Sequence, residues 1–184
     1  MDSATASRIV GGNSKYKRVA SDFYPTPADA TQAILNFLNL PEGTIIWEPA
    51  CGENHMVEVM QANGYKVIAT DIHSGTDFLE TGNMEADWII TNPPFSLADQ
   101  FIIRCIQTKK PFALLLKSQY WHAKKRLGLF RQYPPAFVCP LTWRPDFLFK
   151  QRGKGSPLMD VMWVVWGGCH DTRYIPLERP GGGT

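Results

Sequence analysis

Six short apolar runs, spaced along the chain with amphipathic stretches between them, constrain the fold more than any other feature. They are TIIWE (44–48), KVIAT (66–70), DWII (87–90), FALLLK (112–117), AFVCPL (136–141) and DVMWVVW (160–166). Most are continuous rather than alternating in hydrophobicity and rich in β-branched or aromatic residues, which suits strands covered on both faces. Helical spacing appears between them at HMVEVMQAN (55–63), SLADQFIIRCIQT (96–108) and WHAKKRLGLFRQY (121–133). A further helix is expected over ADATQAILNFL (28–38), with Thr26 as N-cap, Pro27 in the first turn and a break at Pro41, Glu42 and Gly43. Such alternation predicts an α/β fold built on a mostly parallel sheet with helices on both faces. Ligands of such sheets bind beyond the carboxyl ends of the strands. The segments EPACGEN, TDIHSGTDF and TNPPF all fall at those ends.

A chain of 184 residues fits one domain with a sizeable core. The expected organisation is a flexible N-terminal segment over 1–21, one domain over 22–175, and a flexible tail over 176–184 ending in RPGGGT. No apolar run approaches the roughly 18 residues that span a bilayer. The start MDSATASRIVGG has neither a basic region nor an apolar core, so no secretory signal is expected and the cytoplasm is the expected compartment. Cys51, Cys105, Cys139 and Cys169 form no CxxC pair, which points to buried free thiols rather than zinc or disulfides. CGENH (51–55) offers two candidate ligands, too few for a metal site. RIVGG resembles the start of an activated trypsin-like protease, but no GDSGG nucleophile motif accompanies it.

The net charge of +2 conceals a strong division. Residues 22–99 hold twelve acids against Lys66 alone, and residues 101–154 hold twelve bases against Asp146 alone. Solvated lysines keep many surfaces soluble, yet this polarity places a polyanion on one side of the molecule and repels it from the other. Nucleic acid is the partner it fits. The bases expected to contact phosphates are Lys124, Lys125, Arg126 and Arg131 on one helix, with Arg144, Lys150, Arg152 and Lys154 in the following loop.

TNPPF (91–95) ends a strand with an amide side chain, two prolines and an exposed ring, where an ordinary turn would use Gly, Asp or Ser. The stiff corner is suited to a flat polar molecule. EPACGEN (48–54) brings small residues to the turn between a strand and a helix, where a nucleoside can approach the backbone. Asp71 ends the next strand about 20 residues on, placed to bridge the hydroxyls of a ribose. Asp77 and Phe78 follow, an acceptor for an adenine amino group and a ring to lie against the base. Singly these acids read as surface carboxylates; together they describe an adenosyl pocket.

DFYPTP (22–27), EPACGE (48–53) and TNPPF, in this order, resemble S-adenosylmethionine-dependent DNA adenine-N6 methyltransferases, especially the small phage and prophage type. The resemblance runs from about Asp22 to Trp166, and KKRLGLF, RPDF and MWVVW are similar to later segments of that type. It implies a Rossmann-like class I methyltransferase fold with a seven-stranded sheet, working in a prokaryotic or phage-infected cell, with no metal and no membrane. It also implies that the segment Asp22 to Pro27, with Tyr24 and Thr26, borders the cofactor's methionine end. Glu48, Ala50 and Gly52 would line the cofactor turn, Asp71 would hold the ribose, and Asp77 and Phe78 would flank the adenine. Asn54 stands where the family usually has glycine; asparagine is the next best residue for a left-handed backbone.

The same resemblance gives the corner its chemistry. An adenine amino group is a poor nucleophile and is out of reach inside a duplex, so the base would be flipped out. The Asn92 side-chain oxygen and the Pro93 carbonyl would each accept an amino hydrogen, Pro94 would stiffen the bend, and Phe95 would stack on the base. NPPF-type corners also serve enzymes acting on ribosomal RNA, on the four-amino group of cytosine, or on a protein glutamine. A chain of this fold that had lost cofactor affinity would be a nucleic-acid-binding module.

Overall fold

The computed structural model describes residues 24–147, 157, 159–168 and 171–181. Seven strands form one sheet: β1 (Ile45–Glu48), β2 (Lys66–Ala69), β3 (Trp88–Thr91), β4 (Phe112–Lys117), β5 (Phe137–Pro140), β6 (Val161–Trp166) and β7 (Arg173–Tyr174). Their order across the sheet is β2-β1-β3-β4-β6-β5-β7. All run one way except β6, which lies antiparallel to both β4 and β5. The helices are α1 (Ala28–Leu38), α2 (His55–Ala62), α3 (Ala98–Thr108) and α4 (Leu127–Gln132).

The continuous apolar runs become strands because both faces of the sheet are covered, and successive side chains enter two different cores. Ile46, Ile90, Leu115 and Trp163 point to one core, completed by Ile34 and Leu35 of α1 and Met56 and Met60 of α2. Their neighbours Trp47, Ile89, Leu114 and Val164 point to the other, under Phe101, Ile102 and Cys105 of α3. Trp163 is fully buried and its indole N–H donates to the Ala30 carbonyl at 2.8 Å, tying β6 to α1. Cys105 and Cys139 are buried thiols whose pKa burial pushes up, to about 12 for Cys139; Cys169 lies outside the described residues.

The seven strands match the expected count; the seventh, Arg173–Tyr174, is two exposed residues that no apolar run announces. Other expectations are corrected. The helix expected over 121–133 is only Leu127–Gln132, preceded by short 3-10 turns at Ser118–Trp121 and Lys124–Arg126. Pro27, not Thr26, occupies the N-cap of α1, and the Thr26 hydroxyl is engaged elsewhere. The tail expected to be flexible from residue 176 is packed at its start. Leu177 is buried and its amide donates to the Pro140 carbonyl, while Arg179 pairs with Asp29 at 2.9 Å. The segment 1–21 and residues 182–184 lie outside the described residues. Among the described residues no helix is long and apolar enough to cross a membrane, and no group of three or more His, Cys, Asp or Glu side chains is placed to hold a metal ion.

Candidate active site

Because β1 to β4 are parallel, Glu48, Ala69, Thr91 and Lys117 close them on one edge of the sheet. A cavity of about 320 Å³ opens there, a size typical of small-molecule sites. The loops after β1, β2 and β3 and the segment before α1 all contribute to its walls.

Glu48 is fully buried at the cavity floor. Its Oε1 accepts from the Thr91 hydroxyl at 2.5 Å and from the Ala50 amide at 3.0 Å. Its Oε2 is buried with no hydrogen-bond partner. Burial pushes this carboxyl up to about 8, and the nearby Asp71 charge adds to the effect, against the lowering by Thr91 and Ala50. A buried carboxyl raised in this way is neutral at pH 7, and a cation brought beside its unpartnered oxygen would favour the ionised form.

The turn after β1 depends on two left-handed residues, Gly52 at φ 50° and Asn54 at φ 67°. Asn54 therefore adopts the conformation a glycine would supply, and its carbonyl accepts from the Glu58 amide as α2 begins. The turn is fastened to the end of β2 by Asp71, whose Oδ2 accepts from the Gly52 amide at 3.0 Å and Oδ1 from the His73 amide at 2.8 Å. Each carboxylate oxygen still has a second lone pair, so both amide bonds fix the geometry without exhausting the acceptors. Asp77 is held in turn by accepting from the Leu79 amide at 2.9 Å.

At the corner after β3, the Asn92 Nδ2 group donates to the Tyr24 carbonyl at 3.0 Å and to the Thr26 hydroxyl at 2.9 Å. A carbonyl can only accept, so the nitrogen must face Tyr24 and the amide orientation is fixed. That leaves Oδ1 buried and without a partner on a residue of the cavity wall. An orphaned buried acceptor costs about 1 to 3 kcal/mol and calls for an explanation, a catalytic role among them. The Pro94 carbonyl takes the Leu97 amide at 2.9 Å, which turns the chain into α3.

The structure brings most of the sequence-predicted residues together. Tyr24, Thr26, Glu48, Ala50 and Asp71 line the cavity, as do Asp77, Phe78 and the corner from Asn92 to Phe95. Gly52 lines an adjoining, more open depression with Cys51 and Asp71. Two rings sit otherwise than expected. Phe78 is 2% exposed and wedged between Trp47 and Phe101, so it forms a floor rather than a free stacking face. Phe95, expected to be exposed, is half-buried with its ring centroid 5.5 Å from that of Tyr24.

Of the expected phosphate contacts, Lys124 and Arg131 are exposed. Lys125 and Arg126 pair with Asp99 at 2.7 Å each, and Arg144 pairs with Asp160 at 2.6 Å. Arg126 is the most committed of these, with its guanidinium carbon 3.9 Å above the Tyr120 ring and a bond to the Tyr120 carbonyl. Its guanidinium is engaged within the protein rather than presented to solvent as the sequence reading expects. Lys150, Arg152 and Lys154 lie outside the described residues, as does Asp22.

Two residues escaped the sequence reading. Thr91, which bonds Glu48, was hidden as an ordinary strand end. Ile72, 63% exposed at the cavity, had a usable signal: an aliphatic side chain directly after the carboxylate of Asp71 in a polar segment.

No protein-family model and no curated protein matches the sequence. Solved structures do. A modification subunit of a type I restriction enzyme from Vibrio vulnificus superposes with a TM-score of 0.59 at 12% identity, covering 89% of this chain and 49% of that one. A Listeria monocytogenes protein described as a class I S-adenosylmethionine-dependent methyltransferase gives 0.57 at 12% identity, covering 88% and 67%. A Pyrococcus horikoshii protein described as an RNA methyltransferase gives 0.52 at 13% identity, covering 90% and 97%. The chain thus spans about half of the restriction subunit and about two thirds of the Listeria protein. These likenesses show the fold, the Rossmann-like sheet of class I methyltransferases.

Proposed function

We propose that this chain transfers a methyl group from S-adenosylmethionine to the N6 amino group of an adenine flipped out of DNA. The observation that carries the reading is Asn92, whose amide nitrogen is held by Tyr24 and Thr26 while its buried oxygen waits unpartnered at the cavity wall. An acceptor fixed in this way is preorganised for an amino hydrogen and costs nothing to reorient at the moment of reaction.

The residues present fit the proposed cofactor. The buried, open oxygen of Glu48 suits its cationic methionine end, the Gly52–Asn54 turn keeps its left-handed shape, and Asp71 and Asp77 retain acceptor capacity for ribose hydroxyls and an adenine amino group. When bound, the cofactor supplies an electrophilic methyl on sulfonium sulfur. Ile72 and the Phe78 floor, both at the cavity, would cover the apolar face of the adenosyl part. Asn92 Oδ1 and the Pro93 carbonyl would accept the two amino hydrogens, orienting the nitrogen lone pair and stabilising the charge that develops on nitrogen. Methyl transfer exchanges a sulfur–carbon bond for a nitrogen–carbon bond, and the surplus proton on nitrogen would leave to water. Phe95 supports the base, and Lys124 and Arg131 meet the phosphate backbone.

The test is methyl transfer from tritiated cofactor to unmethylated DNA, RNA and protein. Label is expected in DNA as N6-methyladenine, and Asn92→Ala should abolish it while the cofactor still binds. Label in RNA alone, in cytosine, or in protein overturns the substrate assignment, and absence of cofactor binding by calorimetry overturns the enzyme reading.

A further inference from the structure

The carboxyl edge of the sheet holds a second depression, of about 420 Å³, lined by Ser118, Leu141, Thr142, Trp143, Arg144 and Asp160. It belongs to the same edge as the Asn92 corner because β6 runs backwards: its first residue, Val161, lies opposite the last of β4, and the Ser118 amide donates to the Asp160 carbonyl at 2.9 Å. Two strand spacings of about 4.8 Å separate β3 from β6, and three separate it from β5, so the depression is about 10 to 14 Å along the edge from the corner. Successive bases of a DNA strand rise about 3.4 Å. Base pairs up to about four steps from a flipped adenine are therefore within reach.

The segment that carries Arg144 is fastened on both sides. The Trp143 indole N–H donates to Asp29 Oδ2 at 3.0 Å, the Thr142 hydroxyl donates to the Leu177 carbonyl at 2.9 Å, and Pro145 and Phe147 are buried. Arg144 itself donates from Nε to Asp160 Oδ1 at 2.6 Å, with the two side chains 51% and 44% exposed. A guanidinium has five N–H donors and a carboxylate about four acceptor sites, so this one bond orients both groups and leaves most of their capacity open. A phosphate suits that doublet poorly, because Asp160 repels it and already offsets the charge of the guanidinium. A G·C pair suits it well. In the major groove its guanine shows the O6 and N7 acceptors to a guanidinium, and its cytosine offers the N4 donor to a carboxylate. An A·T pair has no base with two such acceptors side by side.

We propose that Arg144 and Asp160 form a reading site for one G·C pair flanking the target adenine, in which Arg144 bonds the guanine and Asp160 fixes the guanidinium while accepting from the cytosine. This rests on the reading of the Asn92 corner as the seat of the flipped base, and adds to it a sequence requirement.

The experiment treats unmethylated genomic DNA with the full chain and maps the N6-methyladenines formed. A G·C pair is expected at one fixed position within about four steps of the methylated base. Duplexes altered at that position then give kcat/KM for wild type, Arg144→Ala, Arg144→Lys and Asp160→Ala. In wild type, exchange for A·T is expected to lower kcat/KM about tenfold to hundredfold, and 7-deazaguanine, which lacks N7, by a smaller factor. Arg144→Ala should treat these duplexes alike with cofactor affinity unchanged, Arg144→Lys should not restore the choice because an ammonium has no fork, and Asp160→Ala should lose part of it. No fixed G·C pair within that distance, discrimination undiminished in Arg144→Ala, or a rate lost equally on every sequence with a lower salt slope overturns the proposal and leaves the methyltransferase reading intact. The last of these makes Arg144 a phosphate contact. Wild-type protein that methylates no DNA overturns the underlying reading, and this one with it.

Discussion

The Thr91 hydroxyl donates to Glu48 Oε1 at 2.5 Å, joining two strand ends that are 43 residues apart in sequence. Through this bond the turn after β1 and the corner after β3 share one buried carboxyl. Thr91→Val keeps the shape but removes the donor, leaving Oε1 with the Ala50 amide as its remaining partner. The expected cost is about 1 to 3 kcal/mol of stability by urea denaturation, with methyl transfer reduced in step. Thr91→Ser, which keeps the donor, should lose less than Val; a larger loss in Ser than in Val would show that the methyl, not the hydroxyl, holds the corner.

Glu48 should also leave a mark on the pH dependence of stability. Its carboxyl is raised from 4.5 to about 8, chiefly by burial. Between those values the folded chain keeps a proton that the unfolded chain releases, so this group's stabilising contribution is complete below 4.5 and is lost as pH rises through about 8. Glu48→Gln removes the titration. The fall in unfolding free energy from pH 5 to 9 should therefore be smaller in the variant, by on the order of a few kcal/mol. Equal slopes in both proteins would place the Glu48 carboxyl in water rather than in the core.

Asn54 at φ 67° tests whether the glycine turn survives its substitution. Asparagine tolerates the left-handed region, so Asn54→Gly should change stability by less than about 1 kcal/mol and cofactor affinity little. Asn54→Val places a β-branched side chain there and should cost about 1 to 2 kcal/mol while weakening the cofactor. Thermal denaturation and calorimetric titration with S-adenosylmethionine read the two effects. A large gain in affinity for Asn54→Gly would instead show that the asparagine impairs the site.

The parallel core and the cavity were legible because they follow from local pattern. Continuous apolar runs require cover on both faces, and EPACGEN, Asp71 and TNPPF sit at strand ends whatever the details of packing. What was not legible depends on partners distant in sequence. The Thr26-Pro27 pair carries a real capping signal, but its hydroxyl is taken by Asn92, 66 residues away. The basic run at 124–126 reads as one helical face, yet Ala123 is extended, and Lys125 and Arg126 answer to Asp99, 27 residues before Arg126. Arg173–Tyr174 pairs with β5 through backbone alone, which no side-chain pattern announces.

That division separates the basic residues experimentally. Asp99 is 28% exposed; burial pushes its carboxyl up, but hydrogen bonds from Lys125, Tyr120 and Arg126 outweigh this and hold it at about 2. Its pairing therefore stabilises the fold above the ordinary carboxylate value of 3.8 and is lost only as pH falls through about 2. Arg126→Ala removes a guanidinium that is 19% exposed, strips the Tyr120 ring and returns Asp99 toward ordinary acidity. It should cost about 1 to 3 kcal/mol at neutral pH and move the acid limb of unfolding upward. Lys124→Ala and Arg131→Ala touch exposed side chains, so stability should shift by no more than about 0.5 kcal/mol, while each lowers the salt slope of DNA binding by about one. Lys125, 70% exposed, should fall between them, with under about 1 kcal/mol of stability at stake. If Arg126→Ala instead left stability and its acid limb untouched while weakening DNA binding as Lys124→Ala does, the pairing with Asp99 would be incidental, and the whole basic segment would belong to the nucleic-acid surface.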